Sequence, residues 1–173
     1  MTVLIIIGLI FLAFGFVVFF GAPYVPSHKR AIERIFDEIG VGPRDVVVDI
    51  GSGDGVVLRL AARRGARAIG YEINPLLVAL SRILSLQFPR IRIELANFWR
   101  VTFPKNTTIV YIFSVSRDGK KLTRKLQKEA DRLGRPLKLV CYGSPLHGKA
   151  PDKIFEAYHL YTFHPLHLPQ AQV

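Results

Sequence analysis

Two acids and a glycine turn are the residues of this chain best placed to do chemistry. The stretch Val46-Val47-Val48-Asp49-Ile50-Gly51-Ser52-Gly53-Asp54-Gly55 opens with three β-branched residues, as a short buried strand does. Asp49 falls near the end of that strand, and glycines at every second position then form a turn. Glycine there permits backbone angles and close approaches that a Cβ would block, and amides at the start of the next helix offer donors to a ligand. The apolar-periodic run Val56, Val57, Leu60, Ala61 completes a strand, turn and helix. Ala68-Ile69-Gly70-Tyr71-Glu72 is a second short apolar strand ending in an acid, and Glu72 follows Asp49 by 23 positions. A carboxylate at such a tip can accept hydrogen bonds from both hydroxyls of a ribose, each contributing roughly 1.5–3 kcal/mol. The constellation suits a nucleoside cofactor; a ligand-free glycine turn followed by a solvated Glu is the plainer alternative.

The spacing narrows the cofactor. Dinucleotide-binding turns run Gly-x-Gly-x-x-Gly, with the third glycine one place further along. Here the pattern is Asp-x-Gly-x-Gly-x-Gly. Asp49 would repel a diphosphate, yet it would attract the amino group and sulfonium of S-adenosyl-L-methionine. Glu72 does not separate the two cofactors, because NAD enzymes use a strand-tip acid in the same way, so Asp49 carries the decision. The stretch resembles motif I of the class I S-adenosylmethionine-dependent methyltransferases. That resemblance implies cofactor contacts from Asp49, Gly51, Ser52, Gly53, Gly55 and Glu72. After a third strand, Ile91 to Leu95, Asn97-Phe98-Trp99 falls where methyltransferases often place a polar residue for the adenine amino group and an apolar one for its ring. Asn97 and Phe98 are assigned those roles, with core packing as the alternative for Phe98 and Trp99.

The elements that must position these residues follow from periodicity and breakers. A helix from Ser27 to Ile39 carries Ile32, Ile35, Phe36 and Ile39 on one face and ends at Gly40, Gly42 and Pro43. A crossover helix runs from about Asp54 to Arg64. Asn74 caps and Pro75 opens a further helix through Phe88, so apolar that it should be largely buried or lie near lipid. Thr107 to Phe113 is a fourth strand, and a basic helix from Arg117 or Asp118 to Leu133 buries Leu122, Leu126, Ala130 and Leu133. Its lysines and arginines read as a solvated face. Leu137 to Tyr142 is a fifth strand and Ile154 to Phe163 a single final one. Alternating strands and helices predict an α/β, Rossmann-like, doubly wound and mainly parallel sheet with its ligand at the carboxyl ends. The usual methyltransferase fold adds a last helix and a two-strand hairpin, for which too few residues remain, so a shortened C-terminal part is expected.

The 173 residues suffice for one such domain. Hydrophobic residues make up 50% of the chain, concentrated in the uncharged stretch Val3 to Ala22. Its 20 residues span about 30 Å as helix, enough to cross a bilayer. His28, Lys29, Arg30 and Arg34 follow it and no Lys or Arg precedes it, which places the remaining domain on the cytoplasmic side of a single-pass anchor. The expected division is residues 1–22 as transmembrane anchor, 23–40 as linker and first helix, and 41–173 as cofactor-binding domain. An uncleaved signal or a buried core helix are the other readings of the apolar stretch. A net charge of +11 calls for an anionic neighbour. Acidic headgroups of the lipid bilayer are the nearest candidate and nucleic acid the competitor. One cysteine, Cys141, excludes an internal disulfide and a Cys-cluster metal site, so no metal is expected.

The whole layout resembles a narrower family: small membrane-anchored protein-lysine methyltransferases related to those that modify the ADP/ATP carrier and the c-ring protein of the ATP synthase. The matching pieces are the apolar N-terminal segment, Pro23-Tyr24-Val25-Pro26-Ser27, Val48 to Gly55, Gly70-Tyr71-Glu72-Ile73-Asn74-Pro75 and Asn97-Phe98-Trp99. The resemblance implies methyl transfer from S-adenosyl-L-methionine to a lysine of a membrane-embedded protein, with the segment around Tyr24 helping to close the site. Relatives that methylate other amino groups carry Asn or Asp-Pro-Pro-Tyr after the fourth strand, where this chain has Phe113-Ser114-Val115-Ser116. That departure argues against adenine or glutamine methylation and leaves Tyr24 and Ser114 as candidate substrate-facing groups. Lipid or small-amphiphile methylation, RNA methylation through the basic helix, and a non-catalytic membrane adaptor stand as alternatives.

Overall fold

The computed structural model describes residues 3–5, 7–8, 29–114 and 118–166. Helix α1 (Lys29–Glu38) precedes strand β1 (Val46–Ile50), α2 (Val56–Arg63), β2 (Arg67–Glu72), α3 (Pro75–Leu84) and β3 (Ile91–Leu95). Then come β4 (Ile109–Ser114), α4 (Gly119–Leu133), β5 (Leu137–Gly143), β6 (Lys153–Phe155) and β7 (Tyr158–Phe163). The strands form one sheet in the order β3-β2-β1-β4-β5-β7-β6. β1 to β5 run parallel, whereas β7 is antiparallel to both β5 and β6.

Each parallel strand is covered on two sides, so its residues are apolar without alternation: all five residues of β1 are buried. On one face, Ile32, Ile35 and Phe36 of α1 and Leu58 and Ala61 of α2 pack over Val47, Ala68 and Tyr111. On the other, Leu122, Leu126 and Ala130 of α4 pack over Val48, Val110 and Leu139. No helix lies between β3 and β4. Phe98, Trp99, Val101 and Phe103 of the connecting loop cover that part of the second face instead, with Phe103 stacked on Tyr71.

Two expectations about the tail need correction. Ile154 to Phe163 is a hairpin rather than one strand, because the chain reverses at Glu156, whose φ is 53°. No Gly, Asn or Pro marks this turn, and the apolar residues on either side read as continuous. The sheet is therefore complete, and what the C-terminal part lacks is a helix between β5 and β6. The helix expected through Phe88 stops at Leu84, and residues 85–87 form a turn capped by Ser85. α3 is also not largely buried: Leu76, Leu80, Ile83 and Leu84 are exposed, and Val78 and Ser81 face inward. The expected membrane-spanning segment, 3–22, and the boundary after it lie mostly outside the described residues. Among the described residues no helix is long and apolar enough to cross a membrane.

Candidate functional site

β1 and β2 lie side by side in parallel register, Asp49 opposite Gly70 and Ile50 opposite Tyr71, so both acids reach the same edge of the sheet. Asp49 and Glu72 are each buried, 3% and 8% exposed. Burial holds the Asp49 carboxyl well above the usual carboxylate range, and the neighbouring carboxylates of Glu72 and Asp54 push it further. A buried acid beside two other acids is best relieved by a cation. The positive amino group and sulfonium expected of the cofactor are of that kind.

Glu72 is held by three backbone amides. Its Oε1 accepts from Ile73 and Asn74 at 2.8 Å each, and its Oε2 accepts from Gly53 at 2.9 Å. A carboxylate has about four acceptor positions, so one remains on this count. Accepting both ribose hydroxyls therefore requires the Gly53 amide to move aside or one oxygen to take a third donor. Asn74 continues the arrangement as the cap of α3: its Oδ1 accepts from Leu76 at 2.9 Å, with Pro75 as the first helical residue.

The glycine turn differs from expectation in what it offers. The amides of Gly51 and Ser52 donate to the Tyr71 carbonyl at 2.8 and 3.2 Å, that of Gly53 to Glu72, and that of Gly55 to the Ser52 carbonyl at 2.8 Å. All four are engaged within the protein, so the turn's contribution to a ligand is close approach rather than free donors. Gly51 shows this directly, since its φ is 81° and a Cβ added there would meet nothing within 4 Å. Gly55 is glycine for a different reason: an added Cβ would collide with Ser81 Oγ of α3. Ser52 points beneath the turn, toward Gly70, rather than outward. A Cβ at Gly70 would come within 2.6 Å of both Ser52 Oγ and Leu58 Cδ1. Gly70 thus supports the site, and the signal for it was an isolated glycine inside a strand. Asp54 was missed as a third acid near Asp49; it accepts from the Val56 amide at 3.2 Å and pairs with Arg59 at 3.2 Å.

Asn97 and Phe98 follow β3, whose Leu95 pairs with Glu72. Asn97 Oδ1 accepts from the Trp99 amide at 3.1 Å and so already closes a local turn. Phe98 is half-buried against Trp99, ring centroids 4.3 Å apart, and the Lys121 ammonium lies 4.1 Å from the Trp99 ring centre. Ser114 ends β4 opposite Gly143; Tyr24 lies outside the described residues. Cys141 is buried, as expected of a core thiol. The basic helix α4 is only partly a solvated face. Lys125 donates to the Val101 carbonyl at 2.7 Å, and Arg132 pairs with buried Glu129 at 2.7 Å. Burial lowers the Lys125 ammonium, against the pull of Glu129 in the other direction.

An open glycine, a clasped strand-tip acid and a buried acid that a cation would relieve fit an adenosyl sulfonium. The family model for the ANTKMT methyltransferase domain matches residues 49–153. The lysine N-methyltransferase of Xenopus laevis that is named for the ATP synthase c-ring protein is 33% identical over 136 residues, covering 77% of this chain and 58% of that protein. A protein-lysine N-methyltransferase of Saccharolobus islandicus is 32% identical over 112 residues, covering 62% and 69%. The solved structure of an RNA methyltransferase from Salinibacter ruber, in complex with S-adenosyl-L-homocysteine, superposes with a TM-score of 0.72 at 25% identity, covering 84% of this chain and 97% of that one. The chain thus spans a little over half the length of the Xenopus relative. With the family match covering Asp49, the glycine turn and Glu72 together with all strands of the parallel sheet after β1's first residues, this chain belongs to the ANTKMT methyltransferase domain family, whose cofactor is S-adenosyl-L-methionine.

Proposed function

We propose that this protein is a membrane-anchored methyltransferase that moves a methyl group from S-adenosyl-L-methionine to the ε-amine of a lysine on a membrane-embedded protein. The observation that carries the reading is the buried Asp49 beside Glu72 at one sheet edge, in a chain whose relatives bear the name of lysine methyltransferases. When bound, the cofactor supplies an electrophilic methyl on sulfur. Asp49 faces its positive groups, Glu72 a ribose hydroxyl, Gly51 its passing backbone-side surface, and Asn97 and Phe98 its adenine.

The acceptor has to lose a proton first. A lysine ammonium with its ordinary pKa costs about 4.6 kcal/mol to deprotonate at pH 7. Apolar surroundings reduce that cost by disfavouring the ammonium. Phe113 and Tyr142, paired at the ends of β4 and β5 with ring centroids 5.6 Å apart, supply such surroundings on the strand next to β1. Ser114 and Tyr24 are the candidates for aligning the amine with the methyl group. In-line positioning then provides much of the rate. The anchor at residues 3–22 confines enzyme and acceptor to one surface, which raises their effective concentration.

RNA methylation is the second reading, favoured by the Salinibacter ruber likeness and the charge of +11. Against it, Lys125 and Arg132 of the basic helix are spent on the Val101 carbonyl and Glu129. Incubating membranes and total RNA with methyl-labelled S-adenosylmethionine and the full chain, then separating protein, lipid and RNA, decides between them. Label in protein lysine supports the proposal; label confined to RNA or to lipid overturns it.

A further inference from the structure

α3 wears its apolar side outward. Leu76, Leu80, Ile83 and Leu84, spaced i, i+4, i+7 and i+8, form one stripe, and Ile83 is 65% exposed. Leu86, just past the helix, is 83% exposed. The inward side carries Val78 and two serines, Ser81 and Ser85, whose buried hydroxyls have no hydrogen-bond partner. An ordinary surface helix has the opposite arrangement, so the stripe is not spare core. Ile73, next to Glu72, and Leu95, paired with it, extend the exposed apolar surface to the site edge.

The charges around the stripe have one sign. From Asn74 to Ile93 there is no acidic residue, and the charged side chains are Arg82, Arg90 and Arg92. The stripe itself holds branched aliphatics and no Trp or Tyr, the anchors around which protein interfaces concentrate their binding energy. Aliphatic surface rimmed by arginine matches the acyl and anionic headgroup layers of a bilayer.

We infer that the outward face of α3 is a second membrane contact, lying in the interface of an anionic bilayer and setting the Asp49–Glu72 edge at headgroup level. This deepens the membrane reading of the function and rests on it for the presence of a bilayer. A lysine just above the headgroups would then meet the site without leaving the surface.

The test uses the full chain with an environment-sensitive fluorophore on Leu86→Cys or, as control on the opposite face of the sheet, on Arg124→Cys; Cys141 is buried and stays unlabelled. Vesicles contain phosphatidylcholine with phosphatidylglycerol and nitroxide-labelled lipid. The Leu86 probe should shift to the blue and be quenched in these vesicles, and much less in pure phosphatidylcholine, whereas the Arg124 probe should do neither. Adding Leu80→Glu and Ile83→Glu should reduce the quenching several-fold while the circular dichroism stays that of the parent. Protein that floats with the vesicles while its Leu86 probe stays unquenched overturns the α3 contact and leaves the anchor intact. Protein that does not float at all overturns both. A blue-shifted Leu86 probe without lipid also overturns the contact: independence of protein concentration means that residues 3–28 cover the stripe, and dependence on it means that a second copy does.

Discussion

The Gly53 amide donates to Glu72 Oε2 at 2.9 Å, fastening the glycine turn to the tip of the second strand. Since Oε1 of the same carboxylate holds the Ile73 and Asn74 amides, one side chain sets both the turn after β1 and the entry to α3. The acid expected to grip a ribose is also what shapes the place where the ribose would lie.

Glu72→Ala should therefore damage the protein before any ligand is added. Three charge-assisted bonds are lost and two buried amides are left to find water, at roughly 2–4 kcal/mol in total. Thermal melting without ligand reads the loss, and S-adenosylhomocysteine should no longer raise the melting temperature of the variant. A ligand-free melting temperature equal to that of the parent would show that the clasp contributes nothing.

Asp49→Asn should act in the opposite direction on stability. Burial keeps the Asp49 carboxyl protonated in the folded state at pH values where the unfolded chain has lost its proton. Between the ordinary carboxylate range and the raised folded value, the unfolded state binds fewer protons, so this acid costs stability as pH rises, and the full cost is reached above the folded value. Asparagine removes it. At neutral pH the ligand-free variant should melt higher by roughly 2–4 °C for each kcal/mol recovered, while losing the cofactor-induced shift. Parent affinity for S-adenosylmethionine should increase with pH, because ionised Asp49 is the form that faces a cation. Titration calorimetry at several pH values checks this, and affinity that falls with pH sinks it.

The two turn glycines should separate. Gly51→Ala places a Cβ in open space at a φ of 81° and costs about 1–2 kcal/mol of backbone strain. Its main effect should be on cofactor affinity, since the methyl group occupies the surface where the ligand passes. Gly55→Ala instead drives into Ser81 and should lose stability first. Adding Ser81→Ala to Gly55→Ala removes the colliding hydroxyl, which has no hydrogen-bond partner to lose. The double variant should recover part of the melting temperature. No recovery would mean that the collision is not what makes Gly55 necessary.

On α4, Glu129→Ala should cost roughly 2–3 kcal/mol, because Lys125 and Arg132 lose their shared partner and the Phe103 amide loses its acceptor. Lys128→Ala, on the exposed side of the same helix, should stay within about 0.5 kcal/mol of the parent. Urea unfolding compares the two. Equal losses would return the whole helix to the status of a solvated face.

The parallel core was legible because its signals are local. Val46 to Val48 and Ala68 to Tyr71 are apolar runs bounded by breakers, and Asn74-Pro75 announces the start of a helix that the structure begins at Pro75. The hairpin at Glu156 was not legible, since its left-handed turn uses a residue type that carries no turn signal. Asn97 was readable as a polar residue after β3, but not as one whose oxygen the Trp99 amide already occupies.

From residue order alone came the two acids, the glycine spacing between them, the parallel sheet that brings them to one edge and the cofactor chemistry they suit, because each depends on neighbours in sequence. Only the tertiary structure decided which amides of the turn are already engaged, which glycine yields space and which avoids a collision, and that the apolar side of α3 faces outward. Those outcomes depend on which segments pack together, and composition that reads equally well as core or surface acquires its meaning only when a partner is, or is not, placed against it.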